Sequence, residues 1–116
     1  MFQLDENCEP HAPDGDRARL LRVSLPEMSY VVTLFKVMGD ETRAKILYLL
    51  SRDSYCVHEI AAALGTSVSN ISHHLRLLKA MRLVKTRRAG QRICYSLDDE
   101  HVAHLLEEAI THASHS

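Results

Sequence analysis

Gly65-Thr66-Ser67-Val68-Ser69-Asn70-Ile71-Ser72-His73-His74-Leu75-Arg76-Leu77-Leu78-Lys79-Ala80 is the stretch whose reading decides the fold. Val68, Ile71, Leu75 and Leu78 recur at three- and four-residue steps, so in a helix they share one face, and that face can bury. The remaining positions carry Ser69, Asn70, Ser72, His73, Arg76 and Lys79. Short hydrogen-bonding side chains come first and cations follow. A helix ordered in this way suits the major groove of DNA, where base edges take the early residues and phosphates the rest. An ordinary amphipathic surface helix would carry the same apolar stripe, so the flanking sequence has to decide.

Upstream, Val57-His58-Glu59-Ile60-Ala61-Ala62-Ala63-Leu64 reads as a short helix closed by Gly65. Glycine suits the left-handed position that ends a helix, and Thr66 or Ser67 can cap the next one. Helix, tight turn, helix is the helix-turn-helix layout. Downstream, Leu83–Arg88 and Gln91–Leu97 read as two short strands joined at Ala89-Gly90, a hairpin whose tip is crowded with Arg87, Arg88 and Arg92. A basic hairpin after a helix-turn-helix is a wing. The candidate DNA contacts are therefore Ser67, Ser69, Asn70, Ser72, His73 and Arg76 from the helix, with Arg87, Arg88 and Arg92 from the wing. His74 is expected to pack or to orient the domain.

Outward from this centre the chain keeps a helical pattern. Ser24-Leu25-Pro26-Glu27 has the spacing of a capping box, and the helix after it carries Met28, Val31, Val32, Phe35 and Met38 before Gly39. Asp40 can cap a helix from Glu41 to about Leu50. Asp98 or Asp99 can cap a last helix from Glu100 to about His112. The fold class is mainly α with a β-hairpin wing, a winged helix-turn-helix in the order α-α-α-α-β-β-α. Residues 1–23, with Pro10, Pro13 and Gly15 among acids, read as a flexible arm carrying at most a short helix over Arg17–Arg22. Residues 24–116 form the DNA-binding and dimerisation domain.

At 116 residues the chain holds one domain. The net charge of −1 argues against nucleic acid, but the distribution argues for it. From Ile60 to Leu97 there is no Asp or Glu, and that segment holds seven of the 14 Lys and Arg. One basic face is the electrostatic footprint of a DNA binder. The acidic N-terminus does not read as a signal peptide, and no stretch approaches membrane-spanning length, so the expectation is a cytoplasmic protein without a membrane partner. Three Cys in that setting point to metal ligation or burial rather than disulfides.

Two stretches carry a resemblance. Gly39-Asp40-Glu41-Thr42-Arg43-Ala44-Lys45-Ile46-Leu47-Tyr48-Leu49-Leu50 resembles the D-x-T-R-x-x-I-L-x-L-L helix of the ArsR/SmtB family of bacterial winged-helix repressors. Ser67 to Leu75, continued through Leu83-Val84, resembles that family's recognition segment. The resemblance spans about residues 27–112. It implies a homodimer, repression of a palindromic double-stranded operator, and metal sensing.

The last helix poses a geometric question. His101 and His112 are eleven residues apart, so they point within ~20° of each other while their Cα atoms lie ~16 Å apart. Zinc–ligand bonds are about 2 Å, so no single ion touches both. Asp99 precedes His101 by two and His115 follows His112 by three, which leaves half a site at each end. If two copies pack antiparallel across a dimer axis, Asp99 and His101 of one chain meet His112 and His115 of the other, a Zn(II)-type set. The bland alternative is that Asp99 only caps and the terminal His residues only complement the helix dipole. The resemblance implies ligands at these same positions in the zinc-sensing members. His104 is set aside as a surface residue.

A second set is Cys8 and His11 in the arm with Cys56 and His58 at the start of the helix-turn-helix, and Glu59 as an alternative fourth ligand. The cadmium- and lead-sensing branch of the family has Cys-x-Cys where this chain has Cys56-Val57-His58. The mixed thiolate and imidazole set therefore widens the expected regulatory ion from Cd or Pb to Zn(II) or Co. The alternative is a buried Cys56 acting as a small hydrophobe. Cys94, between Ile93 and Tyr95, reads as structural. The function expected is a metal-responsive repressor that holds its operator when metal-free and is released by Zn(II) or a similar ion (Cd, Co, Pb). A thiol- or redox-responsive repressor switching through Cys8 and Cys56 is the rival, but it would not need the His spacing. A zinc hydrolase is disfavoured, because four protein ligands leave no open position for water.

Overall fold

The computed structural model of the chain describes residues 15–115. The chain divides after Tyr30 into two compact units. The first holds α1 (Gly15–Ser24), where an extended arm with at most a shorter helix was expected. Asp16 in its first turn and Arg22 in its last suit the helix dipole, and Arg19 bridges back to Asp16 at 3.3 Å. Local propensity and charge placement extend this helix beyond the Arg17–Arg22 core read from the sequence.

The expected Ser24–Glu27 capping box does not form. Ser24 is the last residue of α1, and its hydroxyl donates back to the Leu21 carbonyl at 2.6 Å. Glu27 instead accepts the Ser29 N–H at 2.8 Å and the Ser29 hydroxyl, at the start of α2 (Ser29–Met38). Those two bonds hold the Glu27 carboxyl below its ordinary range. From Val31 onward α2 leaves Val31, Val32 and Phe35 exposed and buries Val37.

α3 (Glu41–Arg52) starts at Asp40, whose carboxylate accepts the Arg43 N–H at 3.1 Å. A two-residue strand that the sequence reading missed, β1 (Tyr55–Cys56), leads into α4 (Val57–Leu64). Gly65, at φ 65°, ends α4, and the Gly65 and Thr66 N–H groups donate to Ala62 and Ala61 at 3.3 and 3.1 Å. That φ is why glycine stands there. Ser67 caps α5 (Val68–Ala80). The chain then turns at Arg82, a non-glycine at φ 58°, with Leu83 N–H reaching the Leu78 carbonyl at 2.9 Å. The hairpin is β2 (Val84–Ala89) and β3 (Arg92–Leu97), and α6 (Glu100–Ser114) follows the Asp99 cap. The sheet is antiparallel in the order β1-β3-β2. This is the winged helix-turn-helix read from the sequence, with α1 and β1 added.

The core lies between α3, α4, α5 and the sheet. Ile46, Leu47, Ile60, Ile71, Leu75 and Leu78 are fully buried, and Val102 of α6 joins them. Val68, the first residue of α5, remains 36% exposed, because the inward stripe engages the core only from Ile71 onward. Among the described residues no helix is long and apolar enough to cross a membrane.

Neighbouring leucines of α5 separate packing from surface. Leu75→Ala empties a filled core site and is expected to cost about 2–5 kcal/mol in urea unfolding at fixed protein concentration. Leu77→Ala, at a 37% exposed position, is expected to cost under about 1 kcal/mol. Equal losses at both positions would mean that α5 is rotated from the face described.

Candidate functional site

α5 presents its polar edge to solvent because its apolar stripe faces the core. Ser67, Ser69, Asn70, His73 and Arg76 are exposed, and Ser72 is half-buried. Part of this edge is already committed internally. The Ser67 oxygen accepts the Asn70 N–H at 3.0 Å, and the Asn70 amide donates to the Thr66 hydroxyl at 3.1 Å. Ser67 is thus first a helix cap, with its hydroxyl hydrogen and one lone pair left to offer. The Asn70 amide is held at the head of the helix by that bond to Thr66. On the wing Arg87, Arg88 and Arg92 are all exposed. Lys79 donates to Thr86 at 3.4 Å, which ties the end of α5 to β2. Helix and wing therefore offer small polar groups and cations, with no carboxylate between Ile60 and Leu97.

What fixes the pitch of α5 is a contact that the sequence pattern did not reveal. The Arg43 guanidinium donates through Nε to the Val37 carbonyl at 2.7 Å, and its Nη1 lies 3.3 Å from His74 Nδ1. Arginine can only donate, so Nδ1 must be an acceptor and the imidazole carries its proton on Nε2. One side chain thereby links the last turn of α2, the first turn of α3 and the middle of α5. The Arg43 N–H bond, followed by the Arg43 charge, lowers the Asp40 carboxyl below its ordinary range. His74 is half-buried and in contact with Arg43, where packing or orienting the domain was expected. His73 packs edge-on against it with ring centroids 5.9 Å apart and stays exposed.

α6 carries the residues of the first candidate metal set. Asp99 accepts the His101 N–H at 2.9 Å, and its Oδ1 lies 3.3 Å from His101 Nδ1. The cap and the imidazole are therefore already adjacent, a half-site with one oxygen and one nitrogen donor. His112 sits in the last turn and His115 is the C-cap, both exposed at the far end of the helix. Leu105 lies about 40° round the helix from His101 and on the same stripe as His112, and it is 40% exposed. Val102 and Leu106 lie on a stripe roughly 100° round from that one and pack on the core. Among the described residues no three ligand-type side chains of one chain gather around a point.

The second set is divided. Cys8 and His11 lie outside the described residues. Cys56 is buried at the N-terminus of α4, and His58 is exposed one position inside that helix. Both line an open cleft of about 480 Å³ whose other wall is Gln91, Arg92 and Ile93 of the wing. The Cys56 N–H donates to Glu59 at 2.9 Å. That bond, with a second from the Cys56 thiol and the Arg92 charge, holds the Glu59 carboxyl below its ordinary range, so it stays ionised beside the thiol.

Known proteins share this fold and resemble its sequence. Residues 40–86 match the model of the bacterial regulatory protein, arsR family. The chain is 46% identical over 83 residues to a cadmium resistance transcriptional regulatory protein CadC homolog of Staphylococcus aureus, covering 71% of this chain and 69% of that one. It is 41% identical over 105 residues to the transcriptional regulator NmtR of Mycobacterium tuberculosis, covering 90% of this chain and 88% of that one. Among solved structures it resembles a homodimeric winged helix-turn-helix DNA-binding domain from Mycobacterium bovis, with a TM-score of 0.68, 30% identity, and 90% and 91% of the two chains covered.

The two surfaces should respond differently to substitution. Arg88→Ala is expected to weaken binding to DNA of any sequence and to reduce the salt slope by about 1. Asn70→Ala is expected to cost about 1–3 kcal/mol on specific sequence alone. Fluorescence anisotropy with specific and scrambled duplexes over a salt series separates the two, and an Asn70→Ala loss that is equal on both duplexes would remove it from base recognition.

Proposed function

Given that the chain belongs to the arsR family of bacterial regulatory proteins, we propose that it is a homodimeric, metal-responsive transcriptional repressor. In this reading residues 24–116 carry DNA binding and dimerisation, and the metal-free dimer holds a palindromic operator. The observation that carries the proposal is the Asp99–His101 pair at one end of α6, with His112 and His115 at the other. The half-exposed Leu105 lies on the stripe between them. An exposed leucine flanked by imidazoles along one helical stripe is what a helix–helix seam presents. Packed antiparallel with its copy, that stripe brings an O,N pair against an N,N pair twice per dimer.

Asp99, His101, His112 and His115 would hold a tetrahedral Zn(II), with Co or Cd as substitutes, and the bound ion would supply a cross-link between protomers. The arms of the dimer then swing less freely. Operator binding requires one separation of the two α5 helices, so a cross-link that favours another separation lowers affinity. Coupling of about 1–3 kcal/mol per site corresponds to roughly 5–150-fold. The same coupling obliges DNA to weaken metal binding by an equal factor. A regulator of this kind needs no catalytic group. Cys8, His11, Cys56 and His58, with Glu59 as the alternative, would form a second set suited to Cd or Pb as well as Zn(II). The family relationship to a cadmium resistance regulator supports that second set.

Sharing of ligands across the interface gives a countable test. His101→Ala and His112→Ala are each expected to leave metal-free operator binding nearly intact and to abolish release by zinc. In the mixed heterodimer of these two variants, one site loses both His ligands and the other keeps all four groups. That heterodimer should bind one zinc and respond in part. A heterodimer that binds no zinc at the α6 helices would show that the ligands do not pair between chains.

A further inference from the structure

Cys94, which the sequence presents as a structural strand residue, has a neighbour that only the fold supplies. In the β1–β3 ladder Cys56 and Cys94 are direct Cα partners, and in the β2–β3 ladder Cys94 faces Arg87. Side chains directly opposite in antiparallel strands emerge on the same face. Cys56, Cys94 and Arg87 therefore form one row across the sheet. A cleft of about 470 Å³ lies beside Cys94, lined by Ser54, Lys85, Thr86, Arg87, Cys94 and Ser96, while Cys56 lines the neighbouring cleft with His58 and Arg92. Both cysteines are free thiols, Cys56 buried and Cys94 half-buried. We propose that Cys56 and Cys94 form a two-thiolate site for a soft, thiophilic cation on the outer face of the sheet, at the root of the wing.

Distances decide between an ion and a disulfide. Directly opposed Cβ atoms in an antiparallel pair lie about 4.5–5.5 Å apart, whereas a relaxed disulfide wants about 3.8 Å. Two metal–sulfur bonds of about 2.3 Å span up to about 4.6 Å between sulfurs, so an ion bridges this spacing without drawing the strands together. Charge decides which ion. A hard cation would meet Lys85 and Arg87 with no carboxylate of the cleft to offset them. Two thiols that release their protons to solvent balance a divalent ion, and the resulting neutral unit can sit beside the two cations. Thiolate ligands select soft ions. No third ligand-type side chain completes a cluster among the described residues, which favours ions content with two thiolates, such as Hg2+. Entry is from the Cys94 side, because Cys56 is the buried member. The Cys56 thiol must leave Glu59 to turn toward Cys94, and that carboxylate keeps its bond from the Cys56 N–H.

The site shares Cys56 with the arm set but needs neither Cys8 nor the α6 ligands. It touches the proposed DNA surface directly, because Arg87 is the next side chain in the row. An ion held there fixes the strand that carries the wing.

The test uses the full chain with Cys8→Ser, so that the arm contributes no thiolate. One equivalent of Hg2+ is added, a monothiol such as 2-mercaptoethanol is supplied in excess, and the metal retained after desalting is measured. The Cys8→Ser chain should retain about one ion per protomer, because a dithiol chelate resists a monothiol. Adding Cys94→Ser or Cys56→Ser should each lower retention at least roughly tenfold, since even loss of an outer-shell partner costs a metal site that much. Maleimide labelling of Cys94, done after desalting has removed the monothiol, gives a second readout. Hg2+ should slow it in the chain that has Cys56 and not in Cys56→Ser. Unchanged retention on Cys94→Ser, or Cys94 labelled equally fast with and without Hg2+, overturns the proposal. Loss of metal by the parent on Cys8→Ser alone, with Cys94 freely labelled, would overturn it and leave the arm set standing.

Discussion

Burial of one stripe of α5 is the constraint from which the remaining surfaces follow. Ile71, Leu75 and Leu78 are sealed against α3, α4 and the sheet, and each such side chain contributes about 1.5–3 kcal/mol by leaving water. A helix held by its inner stripe cannot roll, so Ser69, Asn70, His73 and Arg76 must face solvent. Packing alone leaves some freedom in pitch. Arg43 removes it by bonding the Val37 carbonyl and His74 together. A polar contact at the inner edge of the recognition helix thus supplies the orientation that apolar packing leaves loose, and it joins that helix to the segment leading into α3.

α6 answers the same problem twice in one sequence. Val102 and Leu106 hold it to its own core, while His101, Leu105 and His112 lie on another stripe that this core cannot use. The two stripes sit roughly 100° apart on the helical wheel. In the proposed dimer, movement of α6 against its partner would therefore be felt by the body that carries α5. Val102 packs in the same cluster as Ile71 and Leu75, so there is a continuous set of contacts between seam and DNA face. Coupling between the two sites requires no separate device beyond this shared core.

Much of the fold was legible because its signals are local. Asp40, Ser67, Gly65 and Asp99 perform the capping roles that their types and positions imply. The Ser24–Glu27 spacing misled because Ser24 can equally bond backward, and the end of α1 claims it first. β1 was invisible because two residues carry no periodicity. The adjacency of Asp99 and His101 was legible from spacing, since they are neighbours within one turn. The link from Arg43 to His74 was not, because it joins residues 31 positions apart through a geometry that no spacing rule encodes. Cys94 was read as structural for the same reason, as its partner is set by strand register rather than by sequence neighbours.

Register also explains how one residue can serve two chemistries. Cys56 is at once a strand residue, opposed to Cys94, and the cap of α4, one residue from His58. Its thiol can turn toward the outer face of the sheet or toward the cleft shared by His58 and Arg92, but not toward both. Ions held on the two sides are therefore mutually exclusive at Cys56. A soft ion bridged to Cys94 takes the thiolate away from any set completed by the arm, and an ion held with His58 leaves Cys94 as a lone thiol beside Arg87. The choice between them is a choice of donor hardness, two thiolates on one side against thiolate with imidazole on the other. Because β3 carries Cys94 into the wing, the two-thiolate choice is made on the strand that presents the basic hairpin.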